Sequence, residues 1–349
     1  MPLKITTWNV EHASKLIDSH PSANVLDRRS RVRQTIEAID PDIFCMVEGP
    51  PGEQEISDFC TQVLADQWQP ILLDGATATL GQRDDDYETK GAQWIWFLVR
   101  QGLAGRARLQ APAAWQAFVD RQSWPVNYWG VEETARHGHY RHPQVMIYDI
   151  GGGHELEVIG VHLKSKINRK QIQHDALGNL VGDYVDEALE ARIKLATEAR
   201  DVRAYVNAKF DQLPAPGLLV LGDCNDGPGH DFFERQYLFF DLIGNLQGEV
   251  LVAERFFNHA LFDFAAHLRW TARFRDEVDD IPASQNPLLL DHILISQPLC
   301  RGQLPLIANP HAGQVEHEDY ERVNAGSNSK TRSSDHRPVT LTLDGTGNP

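Results

Sequence analysis

Short apolar runs alternate along the chain with polar segments that contain glycine or proline. Runs rich in β-branched and aromatic residues, bounded by such punctuation, are typical of β-strands. A strand-like run, Leu3 to Trp8, lies near the start of the chain. The other predicted strands are Ile43 to Val47, Trp94 to Val99, Gln144 to Ile150, Leu156 to Leu163, Leu218 to Leu221, Leu289 to Ile295 and Val339 to Leu343.

Two segments between these strands have the apolar spacing of a helix. The first, Arg28 to Ile39, follows Asp27 as its predicted N-cap and stops before Pro41. The second, Tyr184 to Phe210, places its apolar residues at helical spacing and its charges on the opposite face. Strands and helices therefore alternate, and both contribute to the predicted fold.

Polar motifs follow the ends of several apolar runs and come from both halves of the chain. They supply the carboxylates, amides and imidazoles that hold a hard divalent cation and act on a phosphoester. A shared site would need both halves packed together, which predicts one domain over residues 1–349. The motifs are Thr7-Trp8-Asn9, Val47-Glu48, Val161-His162-Leu163-Lys164-Ser165, Gly222-Asp223-Cys224-Asn225-Asp226, Leu290-Asp291-His292 and Ser334-Asp335-His336-Arg337-Pro338.

Two stretches have the character of insertions into this domain. Residues 79–91 carry Asp84-Asp85-Asp86, a charge run typical of a solvated loop. Residues 228–286 are rich in aromatic side chains and are predicted to pack as a small helical cap, with most aromatics in its core.

The motif spacing indicates how some of these side chains could cooperate. Asp223 and Asn225 are two residues apart, so an extended backbone points both to one side, where they could hold a water and a phosphate oxygen. Asp291 could accept a hydrogen bond from His336 and fix its tautomer. A turn is the alternative for Asp223 and Asn225, but their order after a buried strand favours function. A lone Asp-His pair is usually structural, whereas two such pairs, each flanking a strand, are harder to explain in that way.

Charge and composition limit the substrate classes. The formal net charge of −16 speaks against a broad basic surface that grips long nucleic acid. The densest basic segment follows His162 and contains Lys164, Lys166, Arg169 and Lys170. In a nuclease these residues would form a local groove for phosphate, and the alternative is a solvated loop beside a half-buried histidine. The four cysteines lack zinc-site spacing and are expected to be reduced. No apolar stretch is long enough for a membrane span, and no secretion signal is visible, so a cytoplasmic protein is expected.

Taken in order, the motifs resemble those of the endonuclease/exonuclease/phosphatase superfamily, from Thr7 to Leu343. The resemblance implies an α+β fold, a four-layer sandwich of two packed mixed β-sheets flanked by helices. It also implies Mg²⁺ or Mn²⁺ as cofactor. The implied metal residues are Glu48, Asn9 and Asp335, and the implied catalytic residues are His162, Asp223, Asn225, Asp291 and His336, with Arg141 as a phosphate contact.

Three functions follow from this resemblance, because a shared catalytic site does not fix the substrate. The first is a metal-dependent nuclease that cuts DNA or RNA by in-line attack of water. The second is a phosphodiesterase or phosphatase acting on a small-molecule or lipid-linked phosphoester. The third, a binding protein that has lost catalysis, fits the complete polar set poorly. Either Asp223 or His336 could take the proton of the attacking water.

Overall fold

The strands and helices come from a computed structural model that describes residues 2–73, 87–119, 123–128, 131–136, 138–212, 214–229, 231–238 and 241–347. The acidic run Asp84 to Asp86 lies outside these residues, as do Phe239 and Phe240 of the aromatic stretch.

Strands predominate over helices in the described residues. The strands are β1 (Leu3–Asn9), β2 (Ile43–Gly49), β3 (Trp68–Pro70), β4 (Trp94–Arg100), β5 (Ala107–Gln110), β6 (Ser123–Tyr128), β7 (Val131–Arg136), β8 (Gln144–Gly151), β9 (His154–His162), β10 (Gly217–Asp223), β11 (Asn258–His259), β12 (Ala272–Arg273), β13 (Pro287–Leu288), β14 (Asp291–Ile295), β15 (Leu306–Ile307), β16 (Gly313–Val315) and β17 (Val339–Gly345). The helices are α1 (Ala23–Ile39), α2 (Glu53–Gln62), α3 (Ala113–Val119), α4 (Asp183–Phe210), α5 (Leu242–Gln247), α6 (Gln297–Cys300) and α7 (His317–Asn324).

Two mixed sheets contain most of these strands. The first has the order β15-β17-β1-β2-β4-β3, with β16 also paired to β17, and the second has the order β11-β14-β10-β9-β8-β5. β1 is parallel to β2, and β9 is parallel to β10, whereas β1–β17 and β10–β14 are antiparallel. The predicted strands are thus present, several extended by one or two residues.

The two sheets pack face to face around one apolar core. Gly160 on β9 shows how closely they approach, because a Cβ there would lie 2.9 Å from Ile95 and 3.1 Å from Cys45 of the opposite sheet. Side chains buried in this core include Cys45, Val47, Ile95, Phe97, Met146, Val158, Leu219, Leu221, Ile293 and Leu341.

Helices cover the outer faces of this sandwich. α4 packs Leu195, Val202 and Val206 in one apolar cluster with residues of the second sheet such as Ile159 and Val220. On the other side, the buried face of α1 joins the core cluster of the first sheet. The α+β sandwich of two mixed sheets flanked by helices is confirmed.

The start of α1 differs from the prediction. The helix begins at Ala23, and Ser22 is its N-cap, with Oγ accepting a hydrogen bond from the Val25 amide at 3.4 Å. Asp27 instead lies inside the helix, where it pairs with Arg31 one turn later. Serine is a strongly preferred N-cap residue. Asp27 is instead stabilised inside the helix by its ion pair with Arg31, four residues later.

The aromatic stretch is less helical than predicted. It contributes β11 to the second sheet and forms the β12–β13 hairpin, together with α5 and short turns. Phe233 and Phe257 are buried as predicted, but Phe262 is 80% and Phe274 38% exposed. Within the described part of the chain, no helix is both long and apolar enough to cross a membrane.

Candidate active site

Three polar side chains stand side by side where strands of the second sheet end or begin. Asp223 on β10 is the register partner of His162 on β9 and of Asp291 on β14. All three are buried. Because β9 and β10 end here and the antiparallel β14 begins here, the backbone itself brings together motifs that are far apart in sequence.

The turn after β10 has a demanding backbone. Gly222 has a φ of 137°, and a Cβ there would lie 1.9 Å from the Val161 carbonyl oxygen, so glycine is required. Asn225 is left-handed with a φ of 54°. Its amide N–H donates to Asp223 Oδ1 at 2.8 Å, and its side-chain nitrogen donates to the Leu163 carbonyl at 3.0 Å. These bonds fix Asn225 beside Asp223.

His336 reaches this row from the loop before β17. Its Nδ1 lies 2.7 Å from Asp291 Oδ2 in a buried ion pair. The Trp8 indole N–H donates to the His336 carbonyl at 2.9 Å, and Ser334 Oγ donates to the Asn9 carbonyl at 2.6 Å, so the loop is tied to β1. Burial alone would lower the pKa of His336, but Asp291 and then Asp223 raise it to about 10.

Asn9, at the end of β1, connects the two sheets at this point. Its side-chain nitrogen donates to Asp223 Oδ2 at 2.9 Å and to Glu48 Oε1 at 3.3 Å. Its oxygen accepts from the Glu11 amide at 2.9 Å, which fixes the orientation of the side chain. Asn9 was predicted near the metal, and here it orients two carboxylates by donation, without presenting its oxygen to them.

The charge on Asp223 is incompletely compensated. Burial raises its pKa, and the nearby Asp291 raises it further, against the lowering effects of His336 and Asn9, to a value of about 6. Asp223, Asp291 and His336 each offer a ligand atom within 4.8 Å of the others. We call these three residues the histidine cluster.

Glu48 marks the second part of the site, at the bulged end of β2. Its Oε2 accepts the His12 amide N–H at 2.9 Å, and His12 Nδ1 lies 3.3 Å from the same oxygen. Asp335 lies 3.6 Å from the Arg332 guanidinium. Burial and the charge of Asp335 raise the pKa of Glu11, which shows that carboxylates are crowded here.

These residues fit a divalent cation. Carboxylate oxygens that stay partly accessible to solvent, with room for waters, are the donors that Mg²⁺ and Mn²⁺ take. Glu48 supplies such an oxygen, and a cation beside it would relieve the repulsion between Glu11 and Asp335, whose charges act together with that of Glu48 on Arg28.

His162 and Arg141 lie beside the histidine cluster. His162 Nε2 is 3.8 Å from Asp223 Oδ2, too long for a hydrogen bond, and burial followed by the charges of Arg141 and His336 holds its pKa well below the usual range. Arg141 donates to the carbonyls of His162 and Leu163 at 3.1 and 2.9 Å. It therefore braces the end of β9 and adds positive charge to the site.

In the basic segment after His162, Lys166 is already paired with carboxylates of the protein. Lys166 Nζ lies 2.5 Å from Asp226 Oδ1, 3.1 Å from Asp231 Oδ2 and 3.4 Å from Glu234 Oε1. Its charge is committed to these carboxylates, so its predicted contact with substrate is not supported. Lys164 is half-buried and donates to the Ser165 carbonyl. We call Lys166, Asp226, Asp231, Glu234 and Arg192, which also pairs with Asp231, the lysine cluster.

Three site residues escaped the sequence analysis. His12 contacts Glu48, and Gln93 lies between His12 and Arg141. Phe274, treated only as one aromatic among many, has its ring centroid 5.9 Å from that of His336 and stays 38% exposed. No local pattern marks these residues, although the sequence Arg273-Phe274-Arg275 has the alternation of an exposed aromatic between two cations.

The chain is similar to known proteins over most of its length. A model of the Endonuclease/Exonuclease/phosphatase family matches residues 6–336. A search of curated proteins finds no match. Among solved structures, truncated Caenorhabditis elegans TDP2 has a TM-score of 0.53 at 13% identity, covering 98% of this chain and 97% of that chain. D. rerio TDP2 complexed with single strand DNA product has a TM-score of 0.51 at 13% identity, covering 98% and 99%. At such identity the likeness shows a common fold.

Proposed function

The chain belongs to the endonuclease/exonuclease/phosphatase family, and from that premise we propose that it hydrolyses phosphodiester bonds of DNA or RNA. Enzymes of this family use divalent metals, and Mg²⁺ or Mn²⁺ suits the donors present here. The observation that carries the proposal is the row of His162, Asp223 and Asp291, completed by His336, at the junction of the two sheets.

The residues around Glu48 would hold the cation. With Asp335 close by, Glu48 would bind a Lewis acid that withdraws charge from a phosphoryl oxygen. Asn9 keeps Glu48 and Asp223 at a fixed separation through its two donated hydrogen bonds. With this separation fixed, a metal held by Glu48 and a base at Asp223 could act on the same phosphate.

His336 and Asp223 divide the proton chemistry between them. With a pKa of about 10, His336 is an imidazolium near neutral pH and cannot accept a proton, but it can stabilise charge on a phosphoryl oxygen. Asp223, with a pKa of about 6, is mostly ionised at that pH and still basic enough to take the proton of an attacking water. We therefore assign the general base to Asp223.

The remaining predicted residues would bind the phosphate. Asn225 and the neutral His162 flank Asp223 and can contact phosphate oxygens from either side. Arg141 holds the end of β9, and with it His162, in place through its hydrogen bonds to the carbonyls of His162 and Leu163. Lys164 would contact phosphate at the rim of the site.

Nucleic acid is favoured as substrate by the exposed aromatic beside the histidine cluster. Phe274, flanked by the exposed Arg273 and Arg275, could stack on a base while the arginines meet the backbone. A single strand or a strand end suits this arrangement and the net charge of −16 better than a long duplex. Because Lys166 is paired with carboxylates, its charge does not favour a nucleic-acid backbone. A small-molecule or lipid-linked phosphoester is therefore the second candidate substrate.

The test is hydrolysis of single-stranded DNA, single-stranded RNA, plasmid DNA and a panel of small phosphodiesters and phosphomonoesters, with Mg²⁺ or Mn²⁺. Chelator and Asp223→Ala serve as controls. We expect metal-dependent cleavage of a single-stranded nucleic acid that disappears in both controls and weakens as salt rises. Hydrolysis of small esters alone, insensitive to salt, would replace the nuclease with the second candidate. Folded protein without activity on any phosphoester would contradict both.

A further inference from the structure

The geometry points to His12 as a ligand of the divalent cation beside Glu48, and we propose that this nitrogen donor makes the site prefer Mn²⁺ over Mg²⁺. The inference rests on the metal requirement of the proposed function and assigns one more ligand to the same site. It concerns two side chains that the fold brings together from the end of β2 and the turn after β1.

The distance between the two candidate donor atoms suits a shared ion. His12 Nδ1 lies 3.3 Å from Glu48 Oε2. Two neighbouring ligands, each about 2.1 Å from one metal, are roughly 3.0 Å apart in octahedral and roughly 3.4 Å apart in tetrahedral geometry. The observed separation therefore needs little adjustment to accommodate a cation that both atoms contact.

Two groups face His12 Nδ1, Glu48 Oε2 at 3.3 Å and the Gln93 side-chain nitrogen at 3.4 Å. Arg141 is only a donor and lies 2.8 Å from Gln93 Oε1, which turns the Gln93 nitrogen toward His12 Nδ1 at 3.4 Å. The Gln93 nitrogen can only donate and the Glu48 carboxylate can only accept, so these two contacts do not decide which ring nitrogen carries the proton. Both contacts are long, so a cation bound between His12 and Glu48 would displace little hydrogen-bond energy.

The backbone explains why the His12 ring faces the Glu48 carboxylate. Glu11, His12 and Glu48 are all left-handed, with φ of 51°, 56° and 58°. Such conformations are disfavoured for residues other than glycine and cluster at ligand-binding sites. Here they turn the His12 amide onto Glu48 Oε2 at 2.9 Å and hold its ring, 47% exposed, against the same carboxylate.

An imidazole ligand changes which ion is preferred. Mg²⁺ binds oxygen donors and waters, whereas Mn²⁺ and later transition metals also accept imidazole nitrogen. A site built from Glu48, a water shell and His12 should therefore discriminate against Mg²⁺ more than an all-oxygen site would.

The experiment measures metal binding by the full chain without any substrate, at pH about 8, where an ordinary histidine is neutral. Free Mn²⁺ is followed by electron paramagnetic resonance, and Mg²⁺ is measured by competition. The variant is His12→Asn, because asparagine tolerates the left-handed backbone but carries no imidazole. His20→Ala, an exposed histidine on the following loop, is the matched control. Pulsed resonance of bound Mn²⁺ detects a coordinated imidazole nitrogen directly.

We expect the ratio of Mn²⁺ to Mg²⁺ affinity to fall about tenfold in His12→Asn and to stay unchanged in His20→Ala, since ligand-shell changes alter metal affinity by about 10- to 100-fold. The nitrogen modulation should be present in wild type and absent from His12→Asn. A ratio within about twofold of wild type, or absent nitrogen modulation in wild type, would overturn the proposal. If Glu48→Gln also leaves both affinities unchanged, the metal site of the proposed function fails as well.

Discussion

Two buried clusters of ionisable groups lie on either side of the Asp223–Asp226 turn, and they are compensated very differently. In the lysine cluster, two cations face three carboxylates, with Lys166 in contact with all three and Arg192 paired with Asp231. In the histidine cluster, a single imidazole faces Asp223 and Asp291. The lysine cluster is the more exposed of the two, since the Asp231 side chain is 29% exposed whereas Asp223, Asp291 and His336 are buried.

The pKa values of the carboxylates differ between the two clusters. Burial opposes ionisation of Asp231, but Arg192 and Lys166 overcome it and lower the pKa of Asp231 to about 2. The pKa of Asp223 is raised to about 6. Glu234 departs from the simple pattern, because burial raises its pKa even with Lys166 nearby. Both clusters have one carboxylate more than they have cations, but each carboxylate of the lysine cluster lies directly against a cation, whereas Asp223 accepts its hydrogen bonds from the amide groups of Asn9 and Asn225. Without a cation in direct contact, Asp223 can exchange a proton near neutral pH.

The largest expected effect comes from removing the proton acceptor. Asp223→Asn should lower kcat on the preferred phosphodiester by about 10⁴, since general-base catalysis contributes up to roughly that factor. In wild type, the required carboxylate is lost as pH falls through about 6, so kcat/KM should decline below that pH. Pre-steady-state and pH-dependent kinetics measure both. A wild-type profile flat down to pH about 4 would remove Asp223 from the role of base.

Asp291→Asn should have the next largest effect, lowering kcat by about 10². Without the carboxylate, the pKa of His336 falls from about 10 toward its ordinary value, and the imidazolium is lost above neutral pH. The stabilising effect of the pair is fully present below pH about 6.5 and is lost as pH rises through about 10. The His336 ring is titrated by NMR in both proteins, and an unchanged pKa in the variant would refute the assignment.

Breaking the lysine cluster should affect stability more than chemistry. Lys166→Met leaves buried carboxylates without their cation and should cost about 3 kcal/mol of unfolding free energy. Its kcat should fall by less than about tenfold, through looser positioning of Asn225. Lys164→Met is the matched control for stability, because the Lys164 ammonium donates to the Ser165 carbonyl and interacts with Glu198 and Glu187 only through their charges. Denaturant unfolding of the two variants compares them, and equal stability losses would contradict the role given to the cluster.

The smallest expected effect concerns substrate binding outside both clusters. Phe274→Ala should raise KM for single-stranded DNA by about tenfold with little change in kcat, since stacking contributes about 1–3 kcal/mol per base. Phe262→Ala, which removes a still more exposed ring, should leave KM unchanged. If both variants behave like wild type on nucleic acid, the small-phosphoester alternative gains support.

The sequence alone predicted the strands and much of the polar site. The apolar run Leu218 to Leu221 identified β10, because a strand that is buried on both faces has apolar residues at consecutive positions. The polar residues that follow this run identified Asp223 as a candidate site residue. The boundary of α1 was misplaced, because Ser22 and Asp27 are both good caps and only packing and the Arg31 partner distinguish them.

The environment of each charge could not be predicted from the sequence. Lys166 lies in the densest basic segment, and nothing local shows that Asp226, Asp231 and Glu234 converge on it. His12 escaped notice for the same reason, since its contact with Glu48 depends on a left-handed turn and on the pairing of β1 with β2. Spacing identifies candidate groups, whereas tertiary structure decides which charges remain uncompensated.

The most direct test of this account compares unfolding free energy and kcat in Asp223→Asn and Asp231→Asn. The account predicts that Asp223→Asn, measured metal-free at neutral pH, gains about 2 kcal/mol, because it removes a carboxylate whose ionisation is disfavoured by folding, while it loses turnover. Asp231→Asn should lose about 2 kcal/mol and retain most of its turnover. If both variants lose stability and turnover together, the distinction between a structural and a chemical cluster is wrong.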